Sequence, residues 1–361
     1  MSRPTPLHEV HKSLGATLTD FAGWLMPLRY GSESAEHTAV RTAAGLFDLS
    51  HMGEIHVTGA DAAAALDYAL VGNLGALEPG RARYTMMCEP GGGIVDDLIV
   101  YRLAPEEFMV CANASNYLRV ARELTDRAAE FDAVVDDRSD SYALLAVQGP
   151  RSQEIVAALT DADLANLKYY TGLPGTVAGV DALIARTGYT GEDGFELFIA
   201  ADDAVKLWGA LMEAGAAEGL VPAGLSARDT LRLEAGMPLY GNELTSATTP
   251  MDAGLGRVVR FDKQGDFVGR AALDGAEPAK RLVGLVMKGR RVPRHGFAVV
   301  DADGAVIGEV TSGAPSPSIG RPIAMAYVTA PVSAPQAAAV DIRGSHEPVD
   351  VVDLPFYRRK K

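Results

Sequence analysis

Two acids stand side by side in an otherwise apolar run, Gly91-Gly92-Gly93-Ile94-Val95-Asp96-Asp97-Leu98-Ile99-Val100-Tyr101. Side chains alternate along a strand. Asp96 is therefore expected to share a face with Ile94 and Leu98, and Asp97 to share the other with Val95, Ile99 and Tyr101. At least one carboxylate then lies on a mostly apolar surface. Burying it unpaired is costly or shifts its pKa strongly, and carboxyls so placed are candidates for acid–base work. The alternative is a strand that starts later, which leaves both acids in a loop that binds backbone amides.

A second candidate is Gly188-Tyr189-Thr190-Gly191-Glu192-Asp193-Gly194-Phe195-Glu196. Its three glycines allow a tight turn or close approach to a ligand. The GK[ST] ending of a phosphate loop is missing. Glu192, Asp193 and Glu196 would repel phosphate and suit a ligand with N–H donors; the alternative is an ordinary hairpin turn. Third, Arg228 falls in the first turn of an expected helix, where the macrodipole disfavours a cation. Its fork would suit a carboxylate ligand, or it forms a salt bridge to Asp229, Glu234 or another acid. Fourth, Lys288-Gly289-Arg290-Arg291-Val292-Pro293-Arg294-His295 packs four cations and a histidine into eight residues. It is either a docking patch for an anionic partner or a solvated loop.

The elements that must position these residues come from periodicity. Strands are expected at 54–57, 94–101, 108–112, 141–147, 183–185 and 195–199. Helices are expected at 61–70, 116–130, 152–159 and 202–218, and from a capping box at Ser226 to about residue 235. The 202–218 helix should bury Val205, Trp208, Leu211 and Met212. From about 281 onward, short segments split by Gly and Pro (282–287, 297–300, 306–311, 323–328, 339–342) indicate an all-β barrel or jelly roll. Before residue 275 the class is α+β, since strands and helices do not alternate regularly; 275–278 is the expected linker.

The 361 residues exceed one ordinary core and imply two or three domains. Lys and Arg number 33 against 47 Asp and Glu, a formal net charge of −14. Such a chain repels nucleic acid, so an anionic ligand must meet a local basic patch. No run of 18 apolar residues is long enough to span a membrane, and 1–14 lacks the apolar core of a signal peptide. Cys88 and Cys111 form no CxxC pair and no zinc spacing with histidine. They are expected to be buried reduced thiols in a cytoplasmic protein, and no metal site is expected. The terminal Arg358-Arg359-Lys360-Lys361 should be a solvated tail.

Taken together the segments resemble the glycine cleavage T-protein (aminomethyltransferase) family over nearly the whole chain. The resemblance runs through Asp20-Phe21-Ala22-Gly23-Trp24, Phe47-Asp48-Leu49-Ser50-His51-Met52, the Gly92 to Asp97 segment and Val147-Gln148-Gly149-Pro150. It continues through 187–196, Ala227-Arg228-Asp229-Thr230-Leu231-Arg232-Leu233-Glu234-Ala235-Gly236-Met237-Pro238 and Thr311-Ser312-Gly313. It implies a three-domain cloverleaf: an α+β folate-binding domain from 1–52 with 139–275, an α+β domain over 53–138 carrying Asp97, and a C-terminal β-barrel over 279–361. By motif position Asp97 resembles the family's key acid, and Tyr84, Tyr101, Asn113, Tyr189, Glu196 and Arg228 fall where the folate site is lined. Tyr357 is the candidate for an aromatic that the family often places near the C-terminus.

The resemblance further implies a lipoylated H protein as partner and tetrahydrofolate as co-substrate. The one-carbon unit on the lipoyl arm would pass to folate with release of ammonia, giving 5,10-methylenetetrahydrofolate, with Lys288, Arg290, Arg291 and Arg294 docking the carrier. Two alternatives share the fold. One is a folate-dependent demethylase. The other is a non-enzymatic folate-binding accessory protein, whose characteristic Cys in the Gly-rich turn is missing here.

Overall fold

A computed structural model describes residues 2–329 and 338–359; Lys360 and Lys361 of the basic tail lie outside them. Three sheets and a closed barrel form the frame. A six-stranded sheet runs in the order Gly172–Val177, Val180–Ala185, Gly194–Ala200, Tyr142–Gln148, Ala44–Asp48, Leu220–Pro222. A five-stranded antiparallel sheet runs Ala82–Cys88, Ile94–Ala104, Glu107–Ala112, Gly53–Thr58, Val134–Asp137. A small sheet of Arg3–Pro4, Trp24–Arg29 and Thr17–Phe21 precedes both.

Each large sheet is buried on two faces. Leu145, Val147, Leu197 and Ile199 face the helix Ala204–Gly215, packing with Leu207, Trp208 and Leu211. Val205 of that helix is exposed instead, because the buried stripe runs through Ala204 and Leu211. Leu98, Val100 and Val110 pack under the helices Ala62–Ala69 and Tyr117–Arg127. The opposite faces meet one another. Leu144, Ala146 and Phe198 of the larger sheet pack with Tyr101, Met109 and Cys111 of the smaller one, and with Ala227 and Leu231 of the helix Leu225–Glu234. Alternation thus aims every second side chain of both sheets into one shared layer.

The helix Leu225–Glu234 closes this layer. The capping box at Ser226 does not form: the cap is Gly224, with no side-chain cap. A Cβ at Gly224 would meet the Leu28 carbonyl oxygen at 2.4 Å, and its N–H donates to Glu36 at 2.9 Å, so the backbone there is pinned too tightly for a later start. The C-terminal strands close into a barrel, ordered Arg281–Met287, Arg321–Val328, Val306–Ser316, Ala298–Val300, Ala338–Ile342, Ser345–Val352. The last strand was not anticipated from sequence, since Pro348 interrupts its alternation.

Barrel and helix are joined through Glu234, which has no exposed surface. Its carboxylate accepts from Ser316 Oγ at 2.5 Å, Ser318 N at 3.0 Å, Ser318 Oγ at 2.7 Å and Arg41 at 2.9 and 3.1 Å. His37 Nε2 lies 3.1 Å away. Burial works to raise the carboxyl, but His37 and the two serines hold it down to about 2. Because this is a depressed carboxyl, its stabilisation is complete above its ordinary 4.5 and is lost as pH falls from there towards 2. Glu234→Gln takes one of the two carboxylate partners of Arg41, leaving Glu192, and is expected to cost about 3 kcal/mol, against about 1–2 kcal/mol for Ser316→Ala. The shift in urea midpoint measures both.

Candidate functional site

Asp97 and Glu196 arrive in the shared layer by register. Both acids of the pair lie inside the strand Ile94–Ala104, so the loop alternative fails. Gly93 lets this strand start against a neighbouring turn: a Cβ there would meet the Ser246 carbonyl oxygen at 2.1 Å, and the next N–H, of Ile94, donates to Thr248 at 3.0 Å. Asp97 shares its face with Ile99 and Tyr101, as expected, but not with Val95. A bulge opposite Met87 and Cys88 sets Asp96 against Met87 and Ile94 against Cys88. The extra residue, Val95, turns onto the core beside Leu98 and Val100, and Ile94 packs in a separate cluster with Leu244 and Phe267. On the other sheet Glu196 alternates with Leu197 and shares the face of Phe198.

Asp97 lies deep but keeps some accessible surface. Tyr84 OH donates to Oδ2 at 3.1 Å and Asn113 Nδ2 to Oδ1 at 2.9 Å. Burial pushes Asp97 up to about 6, against the pull of those two hydrogen bonds. Glu196 accepts from Thr187 Oγ1 and, at 3.5 Å, from Tyr101 OH. Burial raises it too, opposed by Thr187 and by the charge of Arg228. Arg228 lies over the Tyr189 ring at 4.8 Å, and Tyr189 OH is tied to Pro238 O at 2.5 Å.

Arg228 forms neither salt bridge weighed for it. Asp229 is taken by Arg232 at 2.7 Å and Glu234 by Arg41. Among the described residues no carboxylate lies within 4.0 Å of Arg228. The Gly-rich segment does join two hairpin strands, Val180–Ala185 and Gly194–Ala200. Two of its acids are already occupied: Glu192 with Arg41 at 2.9 Å, and Asp193 with Arg186 at 2.5 Å. Glu196 alone is left for a ligand's N–H groups.

The structure thus groups Tyr84, Asp97, Tyr101, Asn113, Tyr189, Glu196 and Arg228 in one layer. Tyr357 is placed differently: its ring lies 4.0 Å from the Arg41 guanidinium and its N–H donates to Glu234 O at 2.8 Å. In the basic cluster, Lys288 pairs with Asp350 at 3.3 Å and Arg291 with Glu347 at 3.0 Å. Arg290 lines a cavity of about 440 Å³ between barrel and the helix Glu33–Thr42; Arg291 and Arg294 line one of about 410 Å³ with Arg343. Neither cavity includes Asp97.

Two site residues escaped the sequence. Tyr170 holds φ at 57°, unusual for a bulky residue. Its N–H donates to Arg186 O at 3.0 Å, its carbonyl accepts from Ala82 N at 2.9 Å, and its hydroxyl feels Glu196 and Asp97. Buried His51 has an unpartnered Nδ1 and is lowered to about 4 by burial and then by Arg228. An aromatic pair before Thr171-Gly172 was the one local signal for Tyr170. His51 had none beyond its motif.

The family model described as GCVT N-terminal domain matches residues 7–263, and that described as Glycine cleavage T-protein C-terminal barrel domain matches 280–358. An aminomethyltransferase of Streptomyces coelicolor is 69% identical, covering 99% of this chain and 98% of its own. One of Saccharopolyspora erythraea is 61% identical over the same shares. The crystal structure of glycine cleavage system aminomethyltransferase T from Bartonella henselae matches with a TM-score of 0.94 at 38% identity, over 100% of both chains. The chain belongs to the glycine cleavage T-protein family. Its activity is that of an aminomethyltransferase, and its mixed architecture with a closed C-terminal barrel is the one the resemblance implied. Among the described residues no helix is long and apolar enough to cross a membrane.

Arg228 is half-buried without an acidic partner among the described residues, a cost to the ligand-free fold. Arg228→Met is therefore expected to leave urea stability unchanged or raise it by about 1 kcal/mol. It should also raise Glu196 further, because the charge of Arg228 now holds it down, read by carboxyl infrared titration. A stability loss above about 2 kcal/mol would instead mark Arg228 as half of a structural ion pair.

Proposed function

We propose that the layer between the two sheets is where tetrahydrofolate, the family's co-substrate, receives the one-carbon unit of an aminomethyl-lipoyl H protein. The partner-free guanidinium of Arg228 is the observation that carries this assignment: it fits an anionic ligand, while Glu196 in the same layer fits a ligand edge rich in N–H donors. Tyr84, Tyr101, Asn113 and Tyr189 wall the space, and Tyr170 adds to them. Tyr357 belongs to its margin, through the Arg41 and Glu192 contact.

Bound folate supplies the nitrogens between which the methylene carbon ends, as that carbon leaves its lipoyl sulfur and its ammonia. Asp97, ionised, orients those nitrogens and accepts a proton from them, a role typically worth about 100- to 10,000-fold. The protein holds the two reactants together and supplies further rate by proximity. The carrier docks on the loop of Lys288, Arg290, Arg291 and Arg294. Arg290 and Arg294 make its free charge, since the other two already have partners.

The test mixes purified protein, tetrahydrofolate and aminomethyl-loaded H protein, and follows ammonia and methylenetetrahydrofolate. Wild type should release both, and Asp97→Asn should lose about 100-fold or more. Folate binding without ammonia release would favour the demethylase reading. Because Asp97 sits at about 6, kcat/KM should fall as pH drops through that value, and the limb should vanish in Asp97→Asn. Arg290→Glu with Arg294→Glu should raise KM for the carrier about tenfold at low salt and leave KM for folate unchanged; an unchanged carrier KM removes the docking assignment.

A further inference from the structure

The acid beside Asp97 has no part in the scheme above, yet the fold invests heavily in it. Asp96 has no exposed surface. It stands opposite Met87, on the face where Leu98 and Val100 enter an apolar core. A carboxyl there is costly unless its oxygens are filled, and three N–H groups fill them. Asn113 N donates to Oδ2 at 3.0 Å, Asn113 Nδ2 to Oδ1 at 2.9 Å and Asn116 Nδ2 to Oδ1 at 2.7 Å. All three come from one short segment between the strand Glu107–Ala112 and the helix Tyr117–Arg127.

Asn113 is also the residue that touches Asp97, at Oδ1 (2.9 Å) and at its carbonyl oxygen (3.1 Å). An amide has two N–H groups. Both are thus shared between the two neighbouring acids, and the backbone N–H of the same asparagine is fixed by Asp96 as well. Tethering a loop needs one neutral acceptor; a buried carboxylate holding Asn113 at two points, backbone and side chain, and Asn116 at a third does more. We propose that Asp96 is a positioning residue for the transfer reaction: it grips Asn113 at backbone and side chain, and so sets the orientation and proton affinity of Asp97. The proposal rests on Asp97 being the reacting acid.

Burial, and then the charge of Asp97, push Asp96 up to about 8, against the pull of Asn116 and Asn113. The other titratable groups whose fields reach the pair are Tyr84, Tyr170, Tyr189 and Tyr240, Cys111 and Glu243. Burial raises the four tyrosines and the thiol, so they are neutral near pH 7. Glu243 is paired with Arg232 at 2.8 Å. Asp96 is therefore the one neighbouring acid without a cationic partner among the described residues.

The experiment is the pH profile of aminomethyl transfer, with loaded carrier and folate, for Asp96→Asn, Asn116→Ala and Asp97→Asn. Asn116 donates its side chain to Asp96 and, among the described residues, to nothing else. Its side chain therefore reaches the Asp97 limb through Asp96, and an unchanged helix signal in circular dichroism shows that its backbone has not moved. Both Asp96→Asn and Asn116→Ala are expected to move that limb by about half a pH unit or more. Asp96→Asn should also lower kcat about tenfold or more, with both KM values within about twofold. If Asp96→Asn does not fold, Asn116→Ala decides alone. A limb that vanishes in Asp97→Asn yet stays in place in the folded Asp96 and Asn116 variants overturns this proposal alone. A limb that survives in Asp97→Asn overturns both it and the role of Asp97.

Discussion

The helix Leu225–Glu234 carries its charges at the wrong ends. Arg228 is in its first turn and Glu234 is its last residue, so the macrodipole disfavours both, each by roughly 0.3–1 kcal/mol. Such a helix persists only if tertiary partners hold it. Glu234 has them in full: Arg41 and His37 from the helix Glu33–Thr42, and Ser316 and Ser318 from the barrel side. Leu233 beside it packs among Val286, Ala314, Ile323 and Met325 of the barrel. One carboxylate thereby fastens three parts of the chain at a single point, and the position of Arg228 follows from it. At the other end the guanidinium lies over the face of Tyr189 and, among the described residues, has no carboxylate partner. The asymmetry has a physical meaning: the anchored end is complete without ligand, while the open end keeps unfilled hydrogen-bond donors.

The layer between the sheets shows the same division. Sheets buried on both faces are normally apolar throughout, and Leu144, Ala146, Phe198 and Met109 obey that rule. Asp97 and Glu196 break it at positions where the pleat aims them inward. Their neighbours, Tyr84, Asn113, Thr187 and Tyr101, donate hydrogen bonds without cancelling charge. Burial raises both carboxyls against the pull of those hydrogen bonds, and among the described residues neither is locked in an ion pair. Contrast Glu192, Asp193 and Glu243, each matched with an arginine. Among these five acids, only the three outside the layer have arginine partners.

Sequence revealed the types of most elements because their periods are strong: the 94–101 run, the 202–218 helix and the five Gly- and Pro-bounded strands after 281. It also marked the Asp96–Asp97 pair, the acids of the Gly-rich turn and Arg228 as candidates, and the resemblance then singled out Asp97 and Glu196. Where it missed, a tertiary contact outweighed a local signal. Alternation put Val95 beside Asp97, but one bulge moved it to the other face. The Ser226 capping box lost to Gly224, which the strand Trp24–Arg29 holds in place. Charge counting could not tell free from paired side chains, so the turn acids and the four-cation cluster looked uniform until their partners were visible. Tyr170 depends on a strained backbone that no short window of sequence encodes.

The barrel is more than a lid on this arrangement. The basic loop leans on one of its strands, Val306–Ser316: His295 Nδ1 lies 2.8 Å from the Thr311 carbonyl oxygen, and a Cβ on Gly313 would meet the Pro293 carbonyl oxygen at 2.4 Å. Between those two points Ser312 meets Arg232 at 2.8 Å and Asn242 at 3.0 Å. Arg232 lies one turn along the helix from Arg228, the spacing at which side chains share a face. Four residues after Ser312 the same strand supplies Ser316 to Glu234. A carrier seated on the basic loop would thus rest on the element that fixes the helix Leu225–Glu234. Under the proposed function, the docking loop and the Arg228 guanidinium would then be referenced to one strand. A reaction that depends on holding two large reactants at bonding distance needs such a shared reference, because an error of about 1 Å in their relative position can cost about 100-fold in rate.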